Sequence, residues 1–126
     1  LFWHCLRREV TMAPSELFNL NASVSTTEIS VPTGTTYSSG SNQTTDYTIQ
    51  CFFSLQNMAA GDQYQIRIYE KVVSGGTQGV IYEAILTGAQ SKYFVLPALM
   101  VMWGWDVTVK KLAGTDRTII ASVRAV

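Results

Sequence analysis

Residues 103–126 read Trp103-Gly-Trp-Asp-Val-Thr-Val-Lys-Lys-Leu-Ala-Gly-Thr-Asp-Arg-Thr-Ile-Ile-Ala-Ser-Val-Arg-Ala-Val126. In the first half of this stretch Trp105, Val107 and Val109 share one parity, and Asp106, Thr108 and Lys110 the other. In the second half Ile119, Ala121, Val123 and Ala125 fall on one face. A period of two, rich in β-branched residues, belongs to strands with one buried face. The turn residues Ala113-Gly-Thr-Asp116 separate the two runs. The pattern predicts a half-buried β-hairpin.

The same period extends towards the N-terminus. Lys92 to Leu96 is a short run that stops at Pro97, as an edge strand or a strand end would. Val80 to Leu86 returns from a Gly-rich loop, Ser74-Gly-Gly-Thr-Gln-Gly79, after Gln63 to Val73, where Tyr64, Ile66 and Ile68 point in and Gln65, Arg67 and Tyr69 point out. Thr44 to Met58 places Ile49, Cys51, Phe53 and Leu55 on one side. Leu20 to Val31 alternates more loosely, and Pro32 to Gln43 is a polar loop near the upper length limit for an ordinary connection. No helical stripe of useful length interrupts these runs. The expected fold is all-β: a single β-sandwich or jelly-roll-like barrel of about seven or eight antiparallel strands, spanning residues 20–126, with an N-terminal arm.

That arm is residues 1–19. Within it, residues 1–11 hold the sole histidine, His4, and one of two cysteines, Cys5. This segment is read either as an extension upstream of a natural start at Met12 or as a partner-binding arm. Its short apolar stretch precedes the charges, which is the wrong order for a signal peptide. No apolar run of about eighteen residues is present, so no transmembrane helix is expected.

At 126 residues the chain suffices for one core. Charged residues make up 14% and the net charge is zero, which disfavours a dedicated nucleic-acid binder with its basic patch. The charge is divided: residues 1–62 carry two basic against five acidic side chains, a balance of −3, and residues 63–126 carry seven against four, a balance of +3. Such polarity suits self-association, although chance placement in a small chain accounts for it equally well.

Catalytic chemistry is poorly provided for. A histidine-based nucleophilic mechanism would rest on His4 alone. Glu70, Glu83, Asp106 and Asp116 show no spacing that makes them converge and read as exposed carboxylates on a solvated sheet face. Asp62 and Asp116 are lone turn carboxylates, not a calcium cluster, and two cysteines make neither a zinc quartet nor a disulfide framework. Cys51 reads as a small buried apolar residue. No enzyme activity, cofactor or metal is therefore expected. Asn21 and Asn42 match the glycosylation acceptor pattern, which is common by chance. The aromatic residues are the better candidates for contact. Trp103 and Trp105 share a parity and could stack on a sugar or fill a core or interface, and Gly104 between them permits a bulge that re-aims one ring. The candidate interface residues are Phe18, Leu20, Tyr37, Phe52, Tyr69, Tyr93, Trp103 and Trp105.

Three stretches together, Met58-Ala-Ala-Gly-Asp-Gln-Tyr-Gln-Ile-Arg-Ile-Tyr-Glu-Lys71, Ser74-Gly-Gly-Thr-Gln78 and Trp103 to Arg117, resemble a group of small virion proteins of tailed bacteriophages, met mainly in aquatic phage sequences. The resemblance runs from about Met12 to Val126. It implies a structural protein on the capsid surface of the virion that decorates or cements the shell by binding the major capsid protein. The expected partners are that protein and further copies of the chain, as a trimer or another small oligomer, with no direct contact to nucleic acid or membrane. Two other readings stand beside it: a tail-associated module that binds glycans or a host surface, and a self-assembling shell or filament subunit.

Overall fold

A computed structural model describes residues 13–39 and 43–126. The segment 1–11 with His4 and Cys5, the start at Met12, and Asn42 lie outside the described residues. Nine strands among the described residues form two antiparallel sheets packed as a sandwich, and no helix is found there. One sheet contains β1 (Ser15–Val24), β9 (Arg117–Ala125) and β3 (Tyr47–Ser54), in that order. Two short strands, β6 (Phe94–Val95) and β7 (Leu99–Val101), complete it by pairing successive parts of β3. The second sheet runs β2 (Ile29–Ser30), β8 (Asp106–Ala113), β4 (Gln63–Lys71), β5 (Gln78–Thr87).

The core lies where the inward parities meet. Ile49, Cys51 and Phe53 of β3 and Ile119, Ala121 and Val123 of β9 face Tyr64, Ile66 and Ile68 of β4 and Val107 and Val109 of β8, all buried. Burying each large aliphatic side chain contributes about 1.5–3 kcal/mol. Trp105 is fully buried, with Phe18 and Tyr47 edge-on at 6.3 and 6.4 Å, and its indole N–H donates to the Thr45 carbonyl at 2.9 Å. The buried ring therefore keeps its polar atom satisfied.

The two closing runs are strands, as their period requires, but they do not pair with each other. β8 bonds to β2 and β4, and β9 bonds to β1 and β3. The expected hairpin is instead a corner that carries the chain from one sheet to the other. Both runs have one apolar face, and those faces meet across the core as well as they would lie side by side. The alternation is the same in either case.

Asp62 pins this corner. Its carboxylate accepts from the amides of Thr115 and Ala59, each at 2.9 Å, and from Arg117 Nε at 2.7 Å. The Tyr64 hydroxyl accepts from the Arg117 amide at 2.7 Å and lies 2.9 Å from the Thr115 carbonyl. Gly114 crosses directly over Asp62 with φ +91°.

The boundary expected at residue 20 moves towards the N-terminus. Ser15–Asn19 belong to β1, which pairs with β9 from Ser15↔Ala125 onward, because Leu17 and Phe18 have apolar surface to place against the core. The loose alternation of Leu20 to Val31 divides at Ser25–Glu28 into β1 and β2, on opposite sheets.

Candidate functional site

The outer face of the first sheet carries a cluster of exposed apolar side chains. Antiparallel partners share a face, so Phe52 lies with Val95 and Ser122, and Thr48 with Met100. Ile120 and Arg124 stand on the same parity of β9 as Ser122. Tyr93, Val95, Met100 and Ile120 are exposed there. Two shallow apolar cavities, of about 230 and 220 Å³, flank Phe52 and Arg124. Pro14, Thr48 and Gln50 line the first, and Tyr93, Ile120 and Ser54 the second. The Arg124 guanidinium lies 3.9 Å over the Phe52 ring, which keeps a cation on an otherwise apolar surface. Among the described strand residues of this face only Glu16 and Arg124 are charged. Ser122 and Asn19 donate to the Glu16 carboxylate and hold it below the usual carboxylate range.

The eight aromatic and apolar interface candidates part company. Phe52 and Tyr93 lie on this face. Leu20 and Trp105 are buried in the core, and Phe18 packs edge-on against Trp105. Tyr69 is buried on the other sheet beneath Tyr37, whose ring stacks on it at 4.4 Å. Leu20, Tyr69 and Trp105 are thus occupied within the chain and offer nothing to a partner. Ile120, Val95, Met100 and Arg124, which the sequence reading did not select, are exposed on this face. The available signal was an apolar residue on the polar parity of its strand, as with Ile120 between Ile119 and Ala121.

Trp103 and Trp105 do not share a face. Gly104 takes φ +55° and breaks the alternation, so Trp105 enters the core while Trp103 remains 37% exposed. Trp103 lines a small, partly polar cavity of about 160 Å³ with Thr44, Lys71, Ser74, Gly75 and Met102.

The second sheet's outer face is different: part of it is roofed by the chain itself. After β2 the backbone turns, Gly34 N–H bonding to Ser30 O and Ser30 N–H to Thr35 O, each at 2.8 Å, and returns through an Ile29↔Thr36 bridge to Tyr37. The polar loop expected over Pro32 to Gln43 is therefore in part a small hairpin. Beneath it lie Asp106 and Thr108 of β8, both buried. Asp106 was expected to be solvated; here its Oδ1 accepts from Ser30 Oγ at 2.7 Å and from the Val107 amide at 2.8 Å, and its Oδ2 is buried with no partner. Glu28 Oε2 accepts from the Tyr69 hydroxyl at 2.7 Å and from Thr108 Oγ1. Burial, and after it the nearby Glu28 charge, raise the Asp106 carboxyl to about 6 against the pull of its two donors. Tyr37 is pushed up to about 12 by burial and by Tyr69, Asp106 and Glu28.

Glu70, Glu83 and Asp116 do not converge on Asp106. Glu83 pairs with Arg67 at 2.9 Å, Asp116 with Lys111, and Glu70 accepts from the Met102 amide. No group of three or more His, Cys, Asp or Glu placed to hold a metal ion occurs among the described residues. Cys51 is a buried free thiol pushed up to about 12 by burial. Comparison of the chain with protein-family models finds no matching family, and comparison with curated proteins and with solved structures finds no match in either.

Proposed function

We propose that this chain is a structural virion protein that decorates a phage capsid, docking on the major capsid protein through the outer face of its first sheet. One observation carries the reading. That face is broad, nearly free of charge and set with Phe52, Val95, Met100 and Ile120, while a single arginine rests on an aromatic ring. Interface centres are depleted in charge and enriched in aromatic residues, methionine and arginine. The sequence resemblance supplies the partner, and no catalytic step is assigned to any residue. The test is binding of the purified chain to capsids of the encoding phage assembled without it, followed by sedimentation. Ile120→Lys and Arg124→Glu should abolish co-sedimentation while leaving the circular dichroism spectrum unchanged, and Val80→Lys, on the opposite sheet, should bind as wild type. Equal binding by all three variants would remove this face from the proposal. Failure of the unaltered chain to bind would remove the decorating role.

A second reading is favoured by Trp103, half-exposed beside Lys71, Thr44 and Ser74. An indole face bordered by polar groups is the arrangement that stacks on a sugar ring. Retention on a glycan array that is lost in Trp103→Ala, with unfolding unchanged, would favour a host-binding module.

A further inference from the structure

We propose that the small hairpin Glu28–Tyr37 is a proton-sensitive clasp on the outer face of the second sheet, fastened when the buried Asp106 carboxyl holds a proton and loosened when it is charged. The hairpin is held from both sides of the junction. Ser30 Oγ donates to Asp106, the Val31 amide donates to the Val107 carbonyl at 2.8 Å, and Tyr37 stacks on Tyr69 and donates to Gln78. Glu28, on the hairpin, is tied to Tyr69 and Thr108 of the sheet. β2 itself is two residues long, so its ladder contributes little and these side chains carry the attachment.

One carboxylate comes from each side, and neither has an ion pair among the described residues. Glu28 enters from the segment before β2 and Tyr37 from the returning limb. From β4 come Tyr69 and Arg67, but Arg67 is committed to Glu83 of β5 and to the Tyr69 hydroxyl. Lys110 stands beyond Thr108 on the same face of β8, and the first sheet packs against the opposite face. Among the described residues Asp106 has no ion pair, and its Oδ2 has no donor. A buried carboxylate in that state costs free energy that a proton removes and that opening to water also removes. The rise of Asp106 to about 6 agrees with this geometry. The clasp operates whichever partner meets the other sheet.

The experiment is hydrogen exchange on the full chain, corrected for the intrinsic pH dependence of exchange. The reporting amides are Val31, Gly34 and Tyr37, which bond to Val107, Ser30 and Glu28, and the reference is the Leu96 amide, bonded to Cys51 in the first sheet. If opening returns Asp106 to its ordinary value, protection of the reporting amides falls roughly twentyfold between about pH 4.5 and about pH 7.5, and at each pH they open more readily than Leu96, whose exchange follows unfolding of the whole sandwich. Asp106→Asn, which copies the protonated acid, should hold their protection high and flat across that range. Glu28→Gln should lower the midpoint, because one of the two charges is gone. Wild-type protection that is flat with pH would overturn the proposal, as would a pH dependence that persists in Asp106→Asn, or reporting amides protected to the same level as Leu96 throughout, which would show that the hairpin opens only when the whole chain unfolds. If Asp106→Asn does not fold, the wild-type profile and Glu28→Gln still decide. A calcium-induced rise in protection at the higher pH that equals the acid effect would assign the site to a cation and overturn the proton reading.

Discussion

Gly114→Ala tests the corner that replaces the expected hairpin. Gly114 has φ +91°, a conformation that costs an L-residue about 1–2 kcal/mol. An added Cβ would also lie 2.2 Å from Asp62 Oδ1, 2.6 Å from Asp62 Cα and 2.9 Å from the Gly61 carbonyl oxygen. Two of these atoms are backbone, so no rotamer change relieves the overlap, and non-bonded heavy atoms need about 3.5 Å. The chain must separate at the point where Asp62 holds Thr115 and Arg117, an overpacking cost of about 1–3 kcal/mol. The expected loss is therefore about 3 kcal/mol, or about 12 °C in Tm for a chain of this length. Gly61→Ala is the matched comparison: φ is +89°, with nothing within 4 Å of the added Cβ, so it bears the conformational cost alone. The gain from stiffening the unfolded chain is the same in both variants and cancels. Urea unfolding of the two variants, compared at equal m-value, measures the difference. Equal losses would refute the argument that close approach of Gly114 to Asp62 fixes the corner, and so would a Gly114→Ala variant as stable as wild type.

Other outcomes follow from the same contacts. Trp105→Ala should cost about 3–5 kcal/mol, whereas Trp103→Ala should stay within about 0.5 kcal/mol of wild type, both by denaturant unfolding. Stability should fall as pH rises from the ordinary 3.8 of Asp106 through about 6, by at most about 3 kcal/mol, because its folded-state value is raised; Asp106→Asn should abolish that slope in unfolding free energies measured across the interval. Asp62 acts in the opposite sense: the Thr115 and Ala59 amides and Arg117 hold it down to about 2, so its contribution is full above 3.8 and is lost on acidification through 2, and Asp62→Asn should remove the acid limb of the same profile. Cys51 should resist alkylation at neutral pH until the chain unfolds, as read by peptide mapping; labelling at the rate of a free thiol would show that its strand opens locally.

The strands were legible because period two and turn residues are local properties. What pairs with what is not local, and this is where the reading of residues 103–126 departed from the structure. β8 and β9 each needed one buried face, and a facing sheet satisfies that need as well as an adjacent strand does. The Trp103–Trp105 parity failed at Gly104, whose positive φ no hydrophobic pattern encodes, although a glycine between two tryptophans marked the place. Asp106 was read correctly as outward-facing and incorrectly as solvated. Outward means away from the core only, and the roof over Asp106 is made by residues some seventy positions earlier. Phe52 was recognised for its size, while Ile120 was passed over because a single aliphatic residue on a polar parity is common at any surface.

The two outer faces differ in a way that bears on which one is free to bind. The second sheet carries the larger share of charge, with Arg67, Glu83, Asp106 and Lys110 on outward parities, and part of it lies under the chain's own hairpin. A partner approaching there would meet exposed Ile81 and Ile85 of β5, but it would also have to displace Tyr37 from Tyr69 or strip water from the Arg67–Glu83 pair. The first sheet asks for little of this. Glu16 is already satisfied by Ser122 and Asn19, and Arg124 already rests on Phe52, so desolvating the face leaves few polar groups without partners. The same sparsity of charge that makes residues 15–24 and 117–125 uninformative about chemistry makes their outer face the one a protein partner can cover at least cost.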